Sequence, residues 1–176
     1  MIARGFCLRR FWRREDGTAS IEFVLMVPLL LAVFATGIEA GLMMVRETML
    51  DRAVDIAMRE VRLGNLAGAS HDELRAAICA RTVAIPDCEN TLKIDMTPVS
   101  TVTWTLPSGR PVCRDRASPI NPVTTVNPGM REDIMLVRVC AVTDAIFPTS
   151  GLAAGLPLDG NGGYRLMAVS TFVNEP

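Results

Sequence analysis

The sequence predicts an α+β fold: a long N-terminal helix crosses a membrane, then continues as an amphipathic helix packed on a small, mostly antiparallel β-sheet domain. Three observations predict it. Mean hydropathy is +0.29, and 49% of the 176 residues are hydrophobic. One apolar segment runs from Ala19 to Val45, interrupted only by Glu22 and Glu39. Alternating segments of strand type come only after residue 90. We therefore divide the chain into a basic leader (1–17), a helix (18–66) and an α+β domain (67–176).

Composition excludes several classes of function. A net charge of −1 and a pI near 5.9 disfavour nucleic acid as a partner. The single histidine leaves almost no material for a Ser–His or Cys–His catalytic pair or for a histidine metal site. An envelope hydrolase would need a nucleophile and a base, and the domain offers no convincing pair. We therefore expect no catalytic residue, no metal site and no cofactor.

The basic residues of the N-terminus predict how the chain lies in a membrane. Residues 1–17 contain five of the 18 basic side chains and carry a net charge of +3. The stretch Phe23–Ile38 has no charge, and the roughly 25 residues from Ile21 to Val45 are long enough for a bilayer core of about 30 Å. By the positive-inside rule the N-terminus is cytoplasmic and residues 67–176 lie outside the cytoplasm.

Three other interpretations of the apolar segment compete with a processed membrane helix. A buried core helix is disfavoured because the segment is apolar on all sides. A cleaved secretory signal could end at Val33-Phe34-Ala35, but the basic region is long and the apolar stretch continues past Ala35. A simple membrane anchor leaves unexplained the carboxylate of Glu22, which is costly in lipid.

The run Arg13-Arg14-Glu15-Asp16-Gly17-Thr18-Ala19-Ser20-Ile21-Glu22-Phe23 resembles a type IV prepilin processing site. The resemblance implies that a prepilin peptidase cuts after Gly17 and that Thr18 becomes the new N-terminus. Glu22 is then the fifth residue, where its carboxylate can pair with an N-terminal ammonium. This pairing would explain a charge at the head of an apolar helix.

The same region, with Val27-Pro28-Leu29-Leu30-Leu31 and Gly37-Ile38-Glu39-Ala40-Gly41, is similar to the TadE-like proteins of Tad (tight adherence) pilus systems. Ala40 departs from that pattern, in which an aromatic residue is common. The C-terminal run Phe172–Pro176 also resembles a terminal signature of such proteins. The resemblance implies assembly or recognition roles for Glu22, Phe23, Pro28 and Glu39.

For the whole chain, the resemblance implies a pilin-like minor pseudopilin or pilus assembly subunit of a Tad-type, type IVb-like machine. Such a protein is anchored in the bacterial inner membrane with a periplasmic domain. Its partners are the prepilin peptidase, other Tad pilins and pseudopilins, the inner-membrane assembly platform and the lipid bilayer. Entry into the fibre, capping it and staying at its base remain open. The alternative is an unprocessed single-pass protein with an extracytoplasmic binding domain.

Beyond the membrane, residues Leu50, Val54, Ala57 and Val61 form one apolar stripe of a continuing helix. Charged side chains, Arg46 among them, are expected on the remaining surface, and Glu39 at the outer lipid boundary. Gly64-Asn65 predicts the helix end, giving a helix of about 70 Å from Thr18 to Leu63. Gly37 and Gly41 are spaced for close helix packing, although two small residues also occur there by chance.

Within the domain, a capping box at Ser70–Glu73 predicts a short helix to about Arg81, with His71 on its surface. Strands are predicted at 92–96, 102–106, 134–142 and 164–173, the third covered on both faces. Residues 107–131 and 148–163 are predicted loops. The Asp159-Gly160-Asn161-Gly162 run resembles a calcium loop faintly but is expected to be a turn, because later acidic ligands are missing.

The cysteines support export of the domain. Cys7 lies in the leader, and the other four, an even number, lie in residues 67–176, as expected for two disulfides in an oxidising compartment. Four cysteines allow three pairings. We favour Cys79–Cys88, because it is local, and Cys113–Cys140, because it would tether the long loop to the central strand.

Overall fold

The computed structural model describes residues 18–66, 68–148, 152, 155–156 and 158–174. Helix α1 (Thr18–Arg62) has 45 residues and contains Pro28 without being broken. At 1.5 Å per residue it is about 68 Å long. The helix ends where Gly64 takes a φ of 82° and the amide of Asn65 donates to the carbonyl of Glu60 at 3.0 Å. The predicted continuous helix is therefore confirmed.

A small sheet and two short helices follow α1. Helix α2 (His71–Cys79) begins with the predicted capping box of Ser70 and Glu73, and α3 (Cys88–Thr91) is a single turn. The strands are β1 (Lys93–Val99), β2 (Ile134–Thr143) and β3 (Tyr164–Val173). They form one antiparallel sheet in the order β1-β2-β3. The α+β fold predicted from the sequence is confirmed.

The core lies between one face of the sheet and the inner side of α1 and α2. The predicted stripe on α1 is buried at Leu50, Val54 and Ala57. Alternate residues of the strands meet it, because side chains one residue apart point to opposite faces of a sheet. The sheet and α2 contribute Leu74, Ile78, Ile94, Met96, Met135, Val137, Val139, Ala141, Tyr164, Leu166 and Ala168.

The opposite face of the sheet is covered by the irregular segment between β1 and β2. Leu136, Cys140 and Val142 of the central strand are buried there. Arg138 pairs with Asp95 on the neighbouring strand and donates to the carbonyl of Gly109 at 3.2 Å. Strand β2 is thus covered on both faces, as its continuous apolar sequence predicts.

Two disulfides hold the segments around the sheet, with the pairing that the sequence favours. Cys79 and Cys88 join the end of α2 to the start of α3, with their Cα atoms 5.6 Å apart. Cys113 and Cys140 join the covering segment to β2, with a Cα separation of 5.3 Å. The second bond fixes the long loop on the outer face of the sheet.

The strand predicted at 102–106 is wrong. The chain turns immediately after β1: the amide of Trp104 donates to the carbonyl of Ser100 at 2.9 Å, and Trp104 has a φ of 51°. Val102, Trp104 and Leu106 are all exposed. Their alternation is typical of a strand, but among the described residues this segment has no strand beside it to pair with.

The outer edge of β1 is occupied instead by a short piece of the covering segment. The amide of Met96 donates to the carbonyl of Thr125 at 2.9 Å, and the amide of Asn127 donates to the carbonyl of Met96 at 3.0 Å. Two positions further along the same edge lies Pro98, which has no amide hydrogen to offer. Pro98 is compatible with the strand because its missing amide hydrogen would lie on this outer edge and not on the side paired with β2. Strand β1 thus continues to Val99, past the predicted end at Met96.

His71, expected on the surface, is only 20% exposed at its side chain. Its Nε2 accepts a hydrogen bond of 3.3 Å from the amide of Ile94, so it joins α2 to the edge of β1. Burial lowers the pKa of His71, partly offset by its hydrogen bond with Asp72. A neutral ring suits the observed contact, because protonated Nε2 cannot accept a hydrogen bond.

Candidate assembly surface

The first half of α1 projects from the domain without any cover. The most apolar 18-residue window of the helix has a mean hydropathy of 2.3, and none of it is buried in the structure. By length and composition this helix can cross a membrane. Residues 19–38 are exposed or half-buried, and burial begins at Glu39. The 21 residues from Thr18 to Ile38 rise about 31 Å, close to the thickness of a bilayer core.

The assembly residues predicted near the start of α1 lie on this uncovered portion. Glu22 is exposed, and Phe23 is 68% exposed. Pro28 is also exposed and lies inside the continuous helix. Thr18 is the first helical residue, whereas Gly17, Cys7 and the last two residues of the C-terminal run lie outside the described residues. The side chains of Glu22 and Phe23 are therefore available to a partner or to lipid.

Glu39 differs, because it turns inward to its own domain. The residue is 1% exposed, and its Oε2 accepts hydrogen bonds from the amides of Ile146 at 2.9 Å and Phe147 at 3.0 Å. Its other oxygen, Oε1, has no hydrogen-bond partner. The sequence predicts Glu39 at the outer lipid boundary, and burial by the domain does begin at this residue. Its carboxylate, however, binds the backbone of the segment after β2 and does not face outward.

Arg46, two helical turns later on the same face, is the second polar anchor. The charge pattern of the sequence predicts a surface position for Arg46, which is wrong: the residue is only 8% exposed. Its Nη1 donates to the carbonyl of Asp144 at 3.0 Å and to the hydroxyl of Tyr164 at 2.6 Å. The guanidinium carbon is also 6.0 Å from the centre of the Tyr164 ring, within range of a cation–π contact.

A second arginine extends this polar contact across the domain. Arg116 pairs with Asp144 at 2.5 Å and with Asp159 at 2.7 Å, and the two carboxylates raise its pKa. Burial tends to raise the pKa of Asp159, but hydrogen bonds from Arg116 and from the amides of Gly163 and Asn161 lower it to about 2. Asp159 thus closes a turn, as predicted, with its oxygens occupied by internal donors.

The face of α1 opposite Glu39 contains the two spaced glycines. Gly37 and Gly41 stand two residues before and after Glu39, which places them about 160° away around the helix. A Cβ atom added at either position would meet nothing within 4 Å. Another helix could therefore approach this face closely without competing with the domain.

Metal and small-molecule features of the described residues are limited. No group of three or more His, Cys, Asp or Glu residues there could hold a metal ion. An open groove of about 440 Å³ lies beside α1 and is lined by Thr48, Met49, Arg52, Ala53, Ile56 and Arg81. The most extensive candidate surface is therefore the exposed apolar part of α1, residues 19–38, whose C-terminal continuation packs on the domain.

The N-terminal part of the chain resembles one known protein family. Residues 17–59 match the family model described as TadE-like protein. Over this stretch the chain is similar to the TadE-like family. The resemblance read from the sequence is therefore confirmed over the uncovered portion of α1, both polar anchors and the start of the apolar stripe. No curated protein and no solved structure matches the chain.

The match covers residues 17–59, about a quarter of the chain, and among the described residues α1 is the helix long and apolar enough to cross a membrane. The match begins at Gly17, the last residue of the predicted leader. It ends at residue 59, before α2 and the sheet, so the domain is described by its structure alone.

Proposed function

We propose that this chain is a minor pseudopilin or pilus assembly subunit of a Tad-type, type IVb-like pilus or secretion machine. In this proposal it acts by binding other subunits and carries out no catalysis. The observation that carries the proposal is the TadE-like helix, of which residues 19–38 are not buried by the domain. A helix so exposed has two environments open to it, lipid and the helices of partner subunits.

The proposal includes processing and a defined topology. A prepilin peptidase cuts between Gly17 and Thr18, and the mature chain is held in the bacterial inner membrane. The arginine-rich leader supports a cytoplasmic N-terminus. The two disulfides support a periplasmic location for the domain, because such bonds persist in oxidising compartments.

Partner subunits are proposed to contact the uncovered helix, with Glu22 and Phe23 at its cytoplasmic end. These partners are other Tad pilins and pseudopilins and the inner-membrane assembly platform. The Gly37–Gly41 face supports close packing of a neighbouring helix, since it points away from the domain. A minor role fits best, because the domain of about 110 residues adds bulk beside the helix that a thin fibre would have to accommodate.

N-terminal sequencing of the protein purified from its own membranes tests the proposal. We expect a chain that begins Thr-Ala-Ser-Ile-Glu. In Gly17→Phe the peptidase should be blocked and the leader retained, because a bulky side chain replaces the open glycine backbone. Gly5→Phe is the matched control, since it makes the same change inside the leader and should leave cleavage intact.

The other outcomes have equally definite meanings. A chain that begins near Thr36 would indicate a secreted protein cut by an ordinary signal peptidase. An intact Met1 in cells that contain the peptidase would leave the single-pass protein with an extracytoplasmic binding domain. Either result would refute the pseudopilin proposal.

A further inference from the structure

Three cationic side chains from three different elements lie within electrostatic range of one another where β1 begins. Arg75 lies on α2, Lys93 is the first residue of β1, and Arg114 follows Cys113 in the segment that covers the sheet. We call these three residues the basic cluster. Neither the match to the TadE-like family, which ends at residue 59, nor the proposed assembly role accounts for it.

Lys93 is the unusual member of the basic cluster. It is only 6% exposed, yet no described residue accepts a hydrogen bond from its ammonium or forms an ion pair with it. Two arginines enclosed by the domain are paired, in contrast: Arg46 donates to a carbonyl and a hydroxyl, and Arg138 pairs with Asp95. The Lys93 ammonium is not among the fully buried side-chain atoms that lack a partner, so it is accessible to an anionic ligand beside the two guanidinium groups.

Covalent and hydrogen-bonded contacts hold the cluster in place. Lys93 lies directly opposite Cys140 in the sheet, and Cys140 is bonded to Cys113. Arg114, next along the chain, donates to the carbonyl of Asn90 at 2.6 Å. The disulfide therefore brings Arg114 to the end of β1 that carries Lys93.

Arg75 reaches the same place from α2. The ring of His71, one helical turn before it, accepts the amide hydrogen bond of Ile94 and so fixes α2 beside β1. Arg75 itself pairs with Asp72 at 3.1 Å, and Asp72 is 77% exposed at its side chain. The helix thus contributes one cation and one partly neutralising carboxylate.

The charges of the cluster act on one another. Burial lowers the pKa of Lys93, and repulsion from Arg75 and Arg114 lowers it further, with only Asp72 opposing. Three cations against one carboxylate leave a local surplus of two positive charges. This surplus stands out in a domain whose sequence is acidic overall.

We propose that the basic cluster binds a phosphate group, with the Lys93 ammonium and the Arg75 and Arg114 guanidinium groups around its oxygens. A phosphate monoester carries about −1.5 to −2 at pH 7, which matches the surplus better than a single carboxylate does. Arginine presents planar paired donors to phosphate oxygens, and lysine adds a compact point charge. The ligand completes the hydrogen bonding that Lys93 lacks in the protein.

The position of the cluster determines where the phosphate comes from. Arg81, just after α2, pairs with Glu60 at 2.6 Å, so α2 packs near the distal end of α1. Glu60 stands 21 residues beyond Glu39, about 32 Å along the helix. Headgroups of the membrane crossed by α1 are therefore out of reach, and the phosphate is either free or carried by a molecule of the cell envelope.

Isothermal titration of the full chain in uncharged detergent micelles with inorganic phosphate at pH 7.5 tests the proposal. Chloride at the same ionic strength is the reference titrant. We expect saturable binding of one phosphate that weakens at least tenfold in Lys93→Gln and in Arg75→Gln. Arg52→Gln removes a charge from an exposed position on α1 and should leave the affinity unchanged.

Circular dichroism of Lys93→Gln and Arg75→Gln distinguishes lost binding from misfolding. Weaker phosphate binding in both variants, with spectra unchanged from the wild type, excludes misfolding as the cause. Equal heats for phosphate and chloride, or equal affinity in wild type and Lys93→Gln, would overturn the proposal. Glycerol 3-phosphate and a glycerol phosphodiester then distinguish the sources. Tighter binding of the monoester indicates a terminal phosphate of an envelope molecule, whereas preference for inorganic phosphate indicates the free ion.

Discussion

Arg46 on the long helix donates a 2.6 Å hydrogen bond to the hydroxyl of Tyr164, the first residue of the last strand, 118 positions later. Both residues are buried, and the same guanidinium also donates to the carbonyl of Asp144, the first residue after β2. Together with Glu39, this contact fixes how far the domain extends along the helix. It therefore sets the length of helix left for the membrane and for partners.

Replacing Arg46 with methionine should lower the free energy of unfolding by about 2–4 kcal/mol, because the apolar stem is kept but hydrogen bonds to a charged donor are lost. Arg52→Met, on the exposed side of the helix, should change it by less than about 0.5 kcal/mol. Chemical denaturation of the full chain in micelles measures both. Equal effects of the two changes would contradict the anchoring role of Arg46.

Replacing Glu39 with leucine should release the segment after β2 from the helix. The amides of Ile146 and Phe147, which belong to exposed residues, would lose their carboxylate acceptor at a cost of about 0.5–1.5 kcal/mol per hydrogen bond, because water can replace it. Hydrogen exchange resolved at these two amides should become faster while exchange in β2 is retained. Glu47→Leu, on the exposed face, is the matched control and should leave both amides protected.

The two disulfides should differ in their contribution to stability. Their sequence separations are 9 residues for Cys79–Cys88 and 27 for Cys113–Cys140. In the chain-entropy description the longer loop stabilises the fold by about 1 kcal/mol more, within a usual range of about 2–4 kcal/mol per bond. Double serine variants of each pair, compared by thermal unfolding, measure the difference.

Non-reducing peptide mapping of periplasm-exposed protein gives an independent check on the same bonds. We expect the two cross-linked peptides 79–88 and 113–140 and no free thiol beyond the leader. Four free thiols would contradict the proposed compartment as well as the pairing.

Acid should weaken the contact between Arg116 and Asp159. Because the pKa of Asp159 is lowered to about 2, the ionised carboxylate stabilises the fold above its unfolded pKa of about 3.9. This contribution is lost as pH falls from about 4 through about 2. Asp159→Asn should flatten the decline of stability in that window, whereas Glu89→Gln, at an exposed position on α3, should retain it.

Local patterns predicted most of this fold. The long helix follows from an uninterrupted apolar segment joined to an apolar stripe, and its end follows from Gly64. Strand β2 could be predicted because nine consecutive residues are nearly all apolar. The segment 102–106 has the same alternation as a true strand, but alternation cannot tell whether a neighbour exists to pair with it.

The anchors of the domain could not be predicted in the same way. A charged residue near the end of a membrane helix is normally expected at the surface, so the sequence predicts a boundary position for Glu39 and a surface position for Arg46. Their partners lie 98 to 118 residues further along the chain, and three of the four partner groups belong to the backbone. No spacing within the helix contains that information. The basic cluster was missed for the same reason, because the sheet and a disulfide bring its members together.

Glu22 provides the last prediction, since it is a carboxylate on the apolar, uncovered portion of the helix. Replacing it with alanine removes a charge from lipid, so membrane insertion should be unchanged or better. Pairing with partner subunits should fall, because the carboxylate is proposed to meet a neighbouring N-terminal ammonium in a medium of low dielectric constant. Glu22→Asp keeps the charge and should retain part of the crosslinking to pilus components, whereas Glu47→Ala, outside the membrane segment, should retain all of it. Normal crosslinking and normal pilus assembly in Glu22→Ala cells would show that the helix tolerates this carboxylate without using it.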